Sequence, residues 1–438
     1  MNHTTHILRP VVRAALWCTL CLSGAAAWAQ AAPAPTAPPA PNADVTSRLE
    51  ALAREVAELK AKLAAPAPAP VNGPDVINGA PASATPDTVW SGYGEINYNR
   101  YKNNRANDQA DLRRLVLGMN RRLDARTQLV TEIEYEHAVT SADDAGEVAI
   151  EQAYVERELH PLWSARVGLF LMPAGFLNES HEPTAYYGVE RNFVETAIIP
   201  STWREGGVQF LGNLDGGWRV QAGVSTGFNF AKWDSTSAEG AESPLGATHQ
   251  ELAQAKARNL ALFGAVNWRG LPGVQLGASW FHGGASHAQA EAAGHRMAVT
   301  LWDVHGRYTP DAWDLQALFA QGTVSGTAAF NSLSLSSGPD WYPVPKRFSG
   351  GYVQAAYRLW QVDDYTFKPF VRWERFNTAQ AYADLGPGLT QTAARAEIVR
   401  TLGINIDVGS HVVLKADGQV FQKDRTLHRF NLGLGWSF

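Results

Sequence analysis

From position 88 onward, apolar and polar residues alternate with a period of two. Thr127, Leu129, Thr131, Ile133 and Tyr135 alternate with Gln128, Val130, Glu132, Glu134 and Glu136. Phe430, Leu432, Leu434, Trp436 and Phe438 alternate in the same way with Arg429, Asn431, Gly433, Gly435 and Ser437. One apolar and one polar face suit a strand with lipid outside and water inside. The pattern predicts strands near 89–98, 112–121, 126–137, 148–158, 164–172, 206–212, 217–228, 259–268, 273–282, 296–308, 313–323, 350–360, 366–376, 396–408, 411–421 and 428–438.

The connections between these strands alternate in length. Short ones fall at 122–125, 160–163, 213–216, 269–272, 309–312, 361–365 and 409–410, and long polar ones at 99–111, 138–147, 173–205, 229–258, 283–295, 324–349, 377–395 and 422–427. Tight turns facing the periplasm and longer loops facing outside produce this rhythm, and an even count, about sixteen, leaves both chain ends on the periplasmic side. A soluble β-sandwich or propeller also has many short strands, but requires neither the alternation nor a lipid-facing stripe that ends in Phe438. The expected fold is all-β: a transmembrane antiparallel β-barrel over residues 89–438, with a short N-terminal coiled-coil helix in the periplasm.

That helix is expected at 44–64, where the period changes. Val45, Leu49, Leu52, Val56, Leu59 and Leu63 follow the spacing of four and three that makes a heptad seam, and Ser47 through Glu50 match a capping box. Fewer than three heptads leave an isolated amphipathic helix as the alternative. A trimeric barrel next to the helix would supply the missing stability through proximity. Ala- and Pro-rich stretches within 30–88 flank it as semi-rigid linkers.

Residues 1–29 carry Arg9 and Arg13, an apolar run from Ala14 to Ala27, and the small-x-small site Ala27-Trp28-Ala29. This reads as a signal peptide cleaved after Ala29; a retained membrane helix would need a longer run. The chain's 2 cysteines, Cys18 and Cys21, both lie in that segment. The mature protein is therefore expected to have no disulfide, thiolate metal site or cysteine nucleophile. Beyond the signal no apolar stretch reaches the roughly 20 residues of a spanning helix, so a membrane can be crossed only by a closed barrel. Charged residues are 18% of the 438 and the net charge is -5, which gives no case for nucleic-acid binding.

Several segments resemble the phosphate-selective porin O and P family over most of residues 90–438. They are Arg113-Arg114-Leu115-Val116-Leu117-Gly118, Glu151-Gln152-Ala153-Tyr154-Val155-Glu156, the stretch from Arg166 to Glu179 with Pro173 and Gly175, Gly188-Val189-Glu190-Arg191, and Arg204-Glu205-Gly206-Gly207-Val208. The terminal Trp436-Ser437-Phe438 is similar to the sorting signal of outer-membrane barrels. The resemblance implies that the third external loop folds into the lumen and narrows it. Arg191, Glu190, Glu179, His181 and Arg204 are the constriction candidates on that basis.

The inward parity of the strands gives a second set, the pore-wall candidates. Arg114, Arg166, Arg219, Arg307, Arg358, Lys368 and Arg372 supply positive charge against Glu132, Glu134, Asp303, Glu374 and Glu397. Such charges act on passing ions through a focused field. Gly223-Val224-Ser225-Thr226-Gly227 matches a nucleophile elbow in letters, but Trp218, Val220, Ala222 and Val224 carry an alternating strand through it where the elbow needs a strand-turn-helix. The His181-Glu182 pair and Asp303 with His305 could suggest a metal, but a solvated polar wall accounts for them. No catalytic, cofactor or metal site is expected. The expected function is an outer-membrane porin, a homotrimer in the lipid bilayer, passing small or inorganic-ion solutes, anionic ones included, by diffusion. A carbohydrate- or other solute-specific porin, or a structural tether or adhesin, are the alternatives.

Overall fold

The computed structural model describes Arg54 and residues 87–141, 144–288, 296–335 and 341–438. The signal segment and, apart from Arg54, the coiled-coil segment lie outside the described residues. Among the described residues no helix is long and apolar enough to cross a membrane. The chain crosses with strands.

These are β1 (Thr88–Tyr101), β2 (Gln109–Arg122), β3 (Thr127–Glu136), β4 (Glu147–His160), β5 (Trp163–Leu171), β6 (Arg204–Leu214), β7 (Trp218–Ser225), β8 (Ala261–Trp268), β9 (Val274–Gly284), β10 (Ala298–Tyr308), β11 (Trp313–Ser325), β12 (Arg347–Tyr357), β13 (Trp360–Val362), β14 (Tyr365–Ala381), β15 (Glu397–Val408), β16 (Val412–Phe421) and β17 (Arg429–Ser437). Each pairs antiparallel with its sequence neighbours and β17 returns to β1, so the sheet is closed. The three-residue β13 pairs with β14 alongside β12 and prolongs that stave, which makes sixteen staves in the wall. Closure satisfies every ladder group, as hydrocarbon requires. At the seam the Phe438 N–H donates to the Gly92 carbonyl at 2.9 Å and the Gly92 N–H to the Phe438 carbonyl at 3.1 Å.

The outward parity is apolar and exposed: Ile96, Leu117, Val167, Phe210, Leu262, Trp280, Val353, Trp373, Leu402 and Leu432 all stand on it. The inward parity is not uniformly polar, however. Along β5 and β8–β12, Phe170, Phe263, Phe281, Val299, Leu301, Leu318 and Phe348 point inward and are buried. Water therefore does not line the whole inner face, because Met172, Val194, Ile198, Ile199 and Trp203 of the loop after β5 cover this apolar arc. β1–β4 and β14–β17 keep a mostly polar interior, as the alternation predicts, interrupted by Val116, Phe370, Val399, Val413 and Phe421.

One irregularity matters for function. The register of β3 against β4 shifts between Glu132 and Ile133, leaving Glu151 as the extra residue of a β-bulge. A bulge re-aims side chains. Glu151 and Gln152 thereby both turn inward, where Glu151 is fully buried.

Candidate functional site

The loop between β5 and β6, residues 172–203, leaves the wall and crosses the lumen. Its neck is closed by Asn178, whose Nδ2 donates to the carbonyls of Met172 (2.7 Å) and Trp203 (2.8 Å) while its Oδ1 accepts from the Trp203 N–H (2.7 Å). Inside the loop Glu195 gathers four donors: the N–H groups of Phe176 (2.6 Å) and Leu177 (2.8 Å), Asn192 Nδ2 (2.7 Å) and the Tyr352 hydroxyl of β12 (3.0 Å). Burial, opposed by these hydrogen bonds, holds the Glu195 carboxyl above the usual carboxylate range. With four donors supplied, it cross-links the loop without a cation.

The polar wall then straps the loop along its length. On β1 and β2, Glu95 accepts from the Tyr186 hydroxyl (2.8 Å) and pairs with Arg114 (2.9 Å), and Arg114 also donates to the His181 carbonyl (3.1 Å). Glu134 of β3 lies 3.8 Å from Arg114. On β14, Arg372 donates to the carbonyls of Tyr187 (3.2 Å) and Glu190 (3.3 Å), to Gln354 (3.3 Å) and to Glu374 (3.2 Å), and Glu374 accepts from the Phe193 N–H (2.7 Å). Asn405 of β15 and Asp417 of β16 accept from the Gly188 and Val189 N–H groups at 3.1 and 2.6 Å. On the far side, Asp303 of β10 accepts from the Gly175 N–H (3.2 Å), from Ser279 and from His305 (2.6 Å). Gly435 lets the loop lie against β17, since a Cβ there would stand 2.5 Å from that of Pro183.

His181 ties the loop to the bulge. Its Nδ1 faces the Asn178 carbonyl at 3.0 Å, so that nitrogen carries a proton. Its Nε2 lies 2.7 Å from both Glu151 and the Tyr93 hydroxyl. Burial pushes the imidazole pKa down, but the Glu151 carboxylate more than reverses this, and the net direction is up; Arg114 lowers it and Glu132 raises it by smaller amounts. The charged tie contributes fully below the ordinary histidine value of about 6.5 and is lost as pH rises through the raised value. We expect the thermal transition to fall over that upper range, and the fall to vanish in His181→Gln. A shared pH profile for the two proteins would assign the titration elsewhere.

The remaining candidates are placed as follows. Glu190 accepts from Asn99 of β1 (3.0 Å), and Glu179 accepts from Gln221 of β7 (2.9 Å) with Arg219 at 3.7 Å. The Arg191 guanidinium is held by Ser201, by Thr202 (3.0 Å) and by the His181 carbonyl (3.3 Å), all within the loop. Arg166 pairs with Glu156 (2.7 Å), Arg307 bidentately with Asp314 (2.6 and 2.9 Å), Lys368 with Asp407, and Glu132 with Gln152 (2.5 Å). Glu397 caps the 422–428 loop by accepting from the Gln422 and Lys423 N–H groups at 2.9 and 2.8 Å.

Two candidates are corrected. Arg204 pairs across from Leu171 on the outward parity shared by Gly206 and Val208, and binds Glu251 of the next long loop at 2.8 Å; β6 begins earlier than the pattern suggested, and its phase turns Arg204 away from the lumen. Arg358 stands past the end of β12 and donates to the Asp311 carbonyl (3.4 Å) of a neighbouring turn, at the rim instead of the wall. Residues missed in sequence are Tyr93, Glu95, Asn99, Tyr352, Asn405 and Asp417. Their only signal was inward parity, which Glu95 and Asn99 share with the alternation of Ile96 and Tyr98.

Where the loop does not reach the wall, a polar cleft of ≈ 630 Å³ remains along β4–β9. Arg166, Arg219 and Arg269 line it together with Gln152, Asn213, Asn267 and Gln275, and Glu179 is the one acid of the lining.

A family model described as phosphate-selective porin O and P matches residues 86–381. A relative from Aquifex aeolicus (strain VF5), described as an uncharacterized protein, is 29% identical over 333 residues, 74% of each chain. Among solved structures, Salmonella typhi OmpF in complex with daunomycin aligns with a TM-score of 0.53 and 12% identity over 80% of this chain and 97% of that one. An anion-selective porin from Comamonas acidovorans aligns with a TM-score of 0.50 and 10% identity over 80% and 99%. At these identities the two structures are alike in fold.

Proposed function

The chain belongs to the phosphate-selective porin O and P family and is a channel-forming porin of the outer membrane, and from that premise we propose that it passes small anionic solutes by diffusion through the sector its lumen loop leaves open. The observation that carries this is the cleft lined by Arg166, Arg219 and Arg269 with Glu179 as its one lining acid, an excess of positive charge that remains after Arg166 is paired with Glu156. In a narrow passage with low-dielectric walls, fixed charges of one sign raise the local concentration of the opposite ion. Most other wall charges are neutralised in pairs or spent on holding the loop, so they shape the passage more than they charge it. No covalent step is required.

The reading extends to the assembly. The short turns face the periplasm and the long loops the exterior, residues 1–29 are removed, and segment 44–64 stands in the periplasm as the coiled coil of a homotrimer. The heptad seam from Val45 to Leu63 supports the last point.

The test is the reversal potential across a planar bilayer under a potassium chloride gradient. Arg166→Glu combined with Arg219→Glu should move it toward cation preference, with a several-fold drop in the chloride-to-potassium permeability ratio. Arg191→Glu should move it less, because that guanidinium is engaged by Ser201 and Thr202. An unchanged or more anion-selective double variant would remove the cleft from the conduction path.

A further inference from the structure

The strand wall carries cations on its lipid-facing side, Arg121, Arg157, Arg347 and Arg375 among them, and three more stand around one groove. At the long-loop end of β1, Arg100 is exposed on the outward parity, two residues from the exposed Lys102. Three staves away on β15, Arg400 is exposed on the same face, beside Trp373 and Val420 in the register. No outward-parity position of any described strand is occupied by Asp or Glu: Glu95, Glu134, Asp303, Asp314, Glu374 and Asp417 all turn inward. The nearest acid, Asp108, is taken up by Arg105, to which it bonds at 2.6 Å, and by the Tyr101 N–H. Asp424, in the loop before β17, accepts from Thr426. Among the described residues Lys102 and Arg400 form no ion pair, and Arg100 meets only the charge of Asp108, which is already bonded to Arg105. Bare cations on a hydrocarbon-facing wall are costly, less so toward the interface, and mark a functional position.

Between them the wall is hollow. Phe430, Gly418 and Leu402 stand side by side in the register of β17, β16 and β15. The absent side chain at Gly418 opens a groove of ≈ 680 Å³, floored by Leu402, Val420 and Phe430 and edged by Arg100, Lys102 and Arg105, with Arg400 just outside it, opposite Val420 and two residues from Leu402. A Cβ built on Gly418 meets nothing within 4 Å. With strands about 4.8 Å apart, the Arg100 and Arg400 backbones stand on the order of 15 Å apart, a gap that two arginine side chains narrow to the width of a headgroup.

We propose that this groove is a binding site for a phosphorylated glycolipid of the outer leaflet, its phosphate held between Arg100, Lys102 and Arg400 and an acyl chain laid on Leu402, Gly418 and Phe430. Charge complementarity selects the anion, and arginine matches phosphate geometry through bidentate hydrogen bonds. The apolar floor, continuous with the lipid-facing wall, selects a lipid over free phosphate. A second copy of the chain fits less well, since its strand wall offers no acid to meet the cations. The placement in the outer leaflet rests on the orientation proposed above, whereas the binding itself does not.

The experiment uses the protein purified in mild detergent, with diphosphoryl lipid A added and bound lipid counted by native mass spectrometry. Wild type should retain the lipid, and Arg100→Ser combined with Arg400→Ser should weaken retention about tenfold or more, as expected for losing two charge-assisted contacts. Gly418→Leu, which fills the groove and leaves every cation in place, should weaken it as well. Dephosphorylated lipid A and millimolar inorganic phosphate should not compete, and phosphatidylglycerol should compete poorly. Equal retention by wild type and both variants would overturn the site. Full competition by inorganic phosphate would make it an anion site without a lipid. Full competition by phosphatidylglycerol would leave it a site for any anionic headgroup, and loss of the oligomer in Gly418→Leu would make it a seam between copies. The last three outcomes also overturn the proposal, while none of them bears on the arginine cleft of the lumen.

Discussion

Arg372→Ala is expected to raise single-channel conductance and to lower the thermal transition of the folded barrel. The Arg372 side chain is 2% exposed and reaches two loop carbonyls, those of Tyr187 and Glu190, as well as Gln354 and Glu374. Its removal frees the middle of the lumen loop from β14 and leaves Glu374 buried with the Phe193 N–H as its remaining donor. Breaking a buried ion pair from one side costs roughly 3–5 kcal/mol, whereas replacing both partners by apolar groups is often neutral. Arg372→Met combined with Glu374→Leu should therefore recover most of the lost stability while the conductance stays raised, because the carbonyl contacts are still missing. A bilayer recording in which the single variant conducts like wild type would show that the loop is held without Arg372.

Trp203→Ala should have an effect of similar size at the other end of the loop. Trp203 is buried at the neck, stacked 5.2 Å from Phe228 and edge-on to Phe281 at 4.8 Å, with its indole N–H donating to Glu205 at 3.1 Å. Truncating a buried tryptophan costs roughly 3–5 kcal/mol. The loss falls where the loop rejoins β6, beside the Asn178 clasp, so the loop should detach locally while the strand ladder persists. Limited proteolysis should then cut within 172–203 in the variant and not in wild type. Equal protection of that segment would place the stability of the loop in its polar straps alone.

Both expectations depend on a loop whose partners are distant in sequence, and that is where the sequence stopped being legible. The alternation of residues such as Thr127 to Glu136 located the staves because a strand's two faces meet different solvents, and that requirement is met residue by residue. The apolar inward positions of β10 and β11 could have been noticed, since Val299, Leu301, Leu318 and Ala320 break the polar parity. What they pack against could not, because Val194, Ile198 and Trp203 reach them only once the barrel has closed. Arg204 was misplaced because the pattern ended the lumen loop at 205, whereas β6 already begins at Arg204 and its pairing with Leu171 of β5 sets that side chain on the outward parity. Glu151 was hidden for a related reason: the bulge opposite Glu132 changes the parity within one strand.

The sequence by itself determined the class of fold, the positions of the sixteen staves, the alternation of short turns and long loops, and the sign and rough location of the wall charges. These follow from local periodicity and from the rule that a backbone in hydrocarbon must satisfy its own hydrogen bonds. Only the tertiary structure decided which charges cancel, which hold the loop, and which remain to face a solute. Pairing energies depend on a few ångströms between residues far apart in the chain, as between Arg372 and Glu190 or His181 and Glu151, and closure of the barrel is what sets those distances.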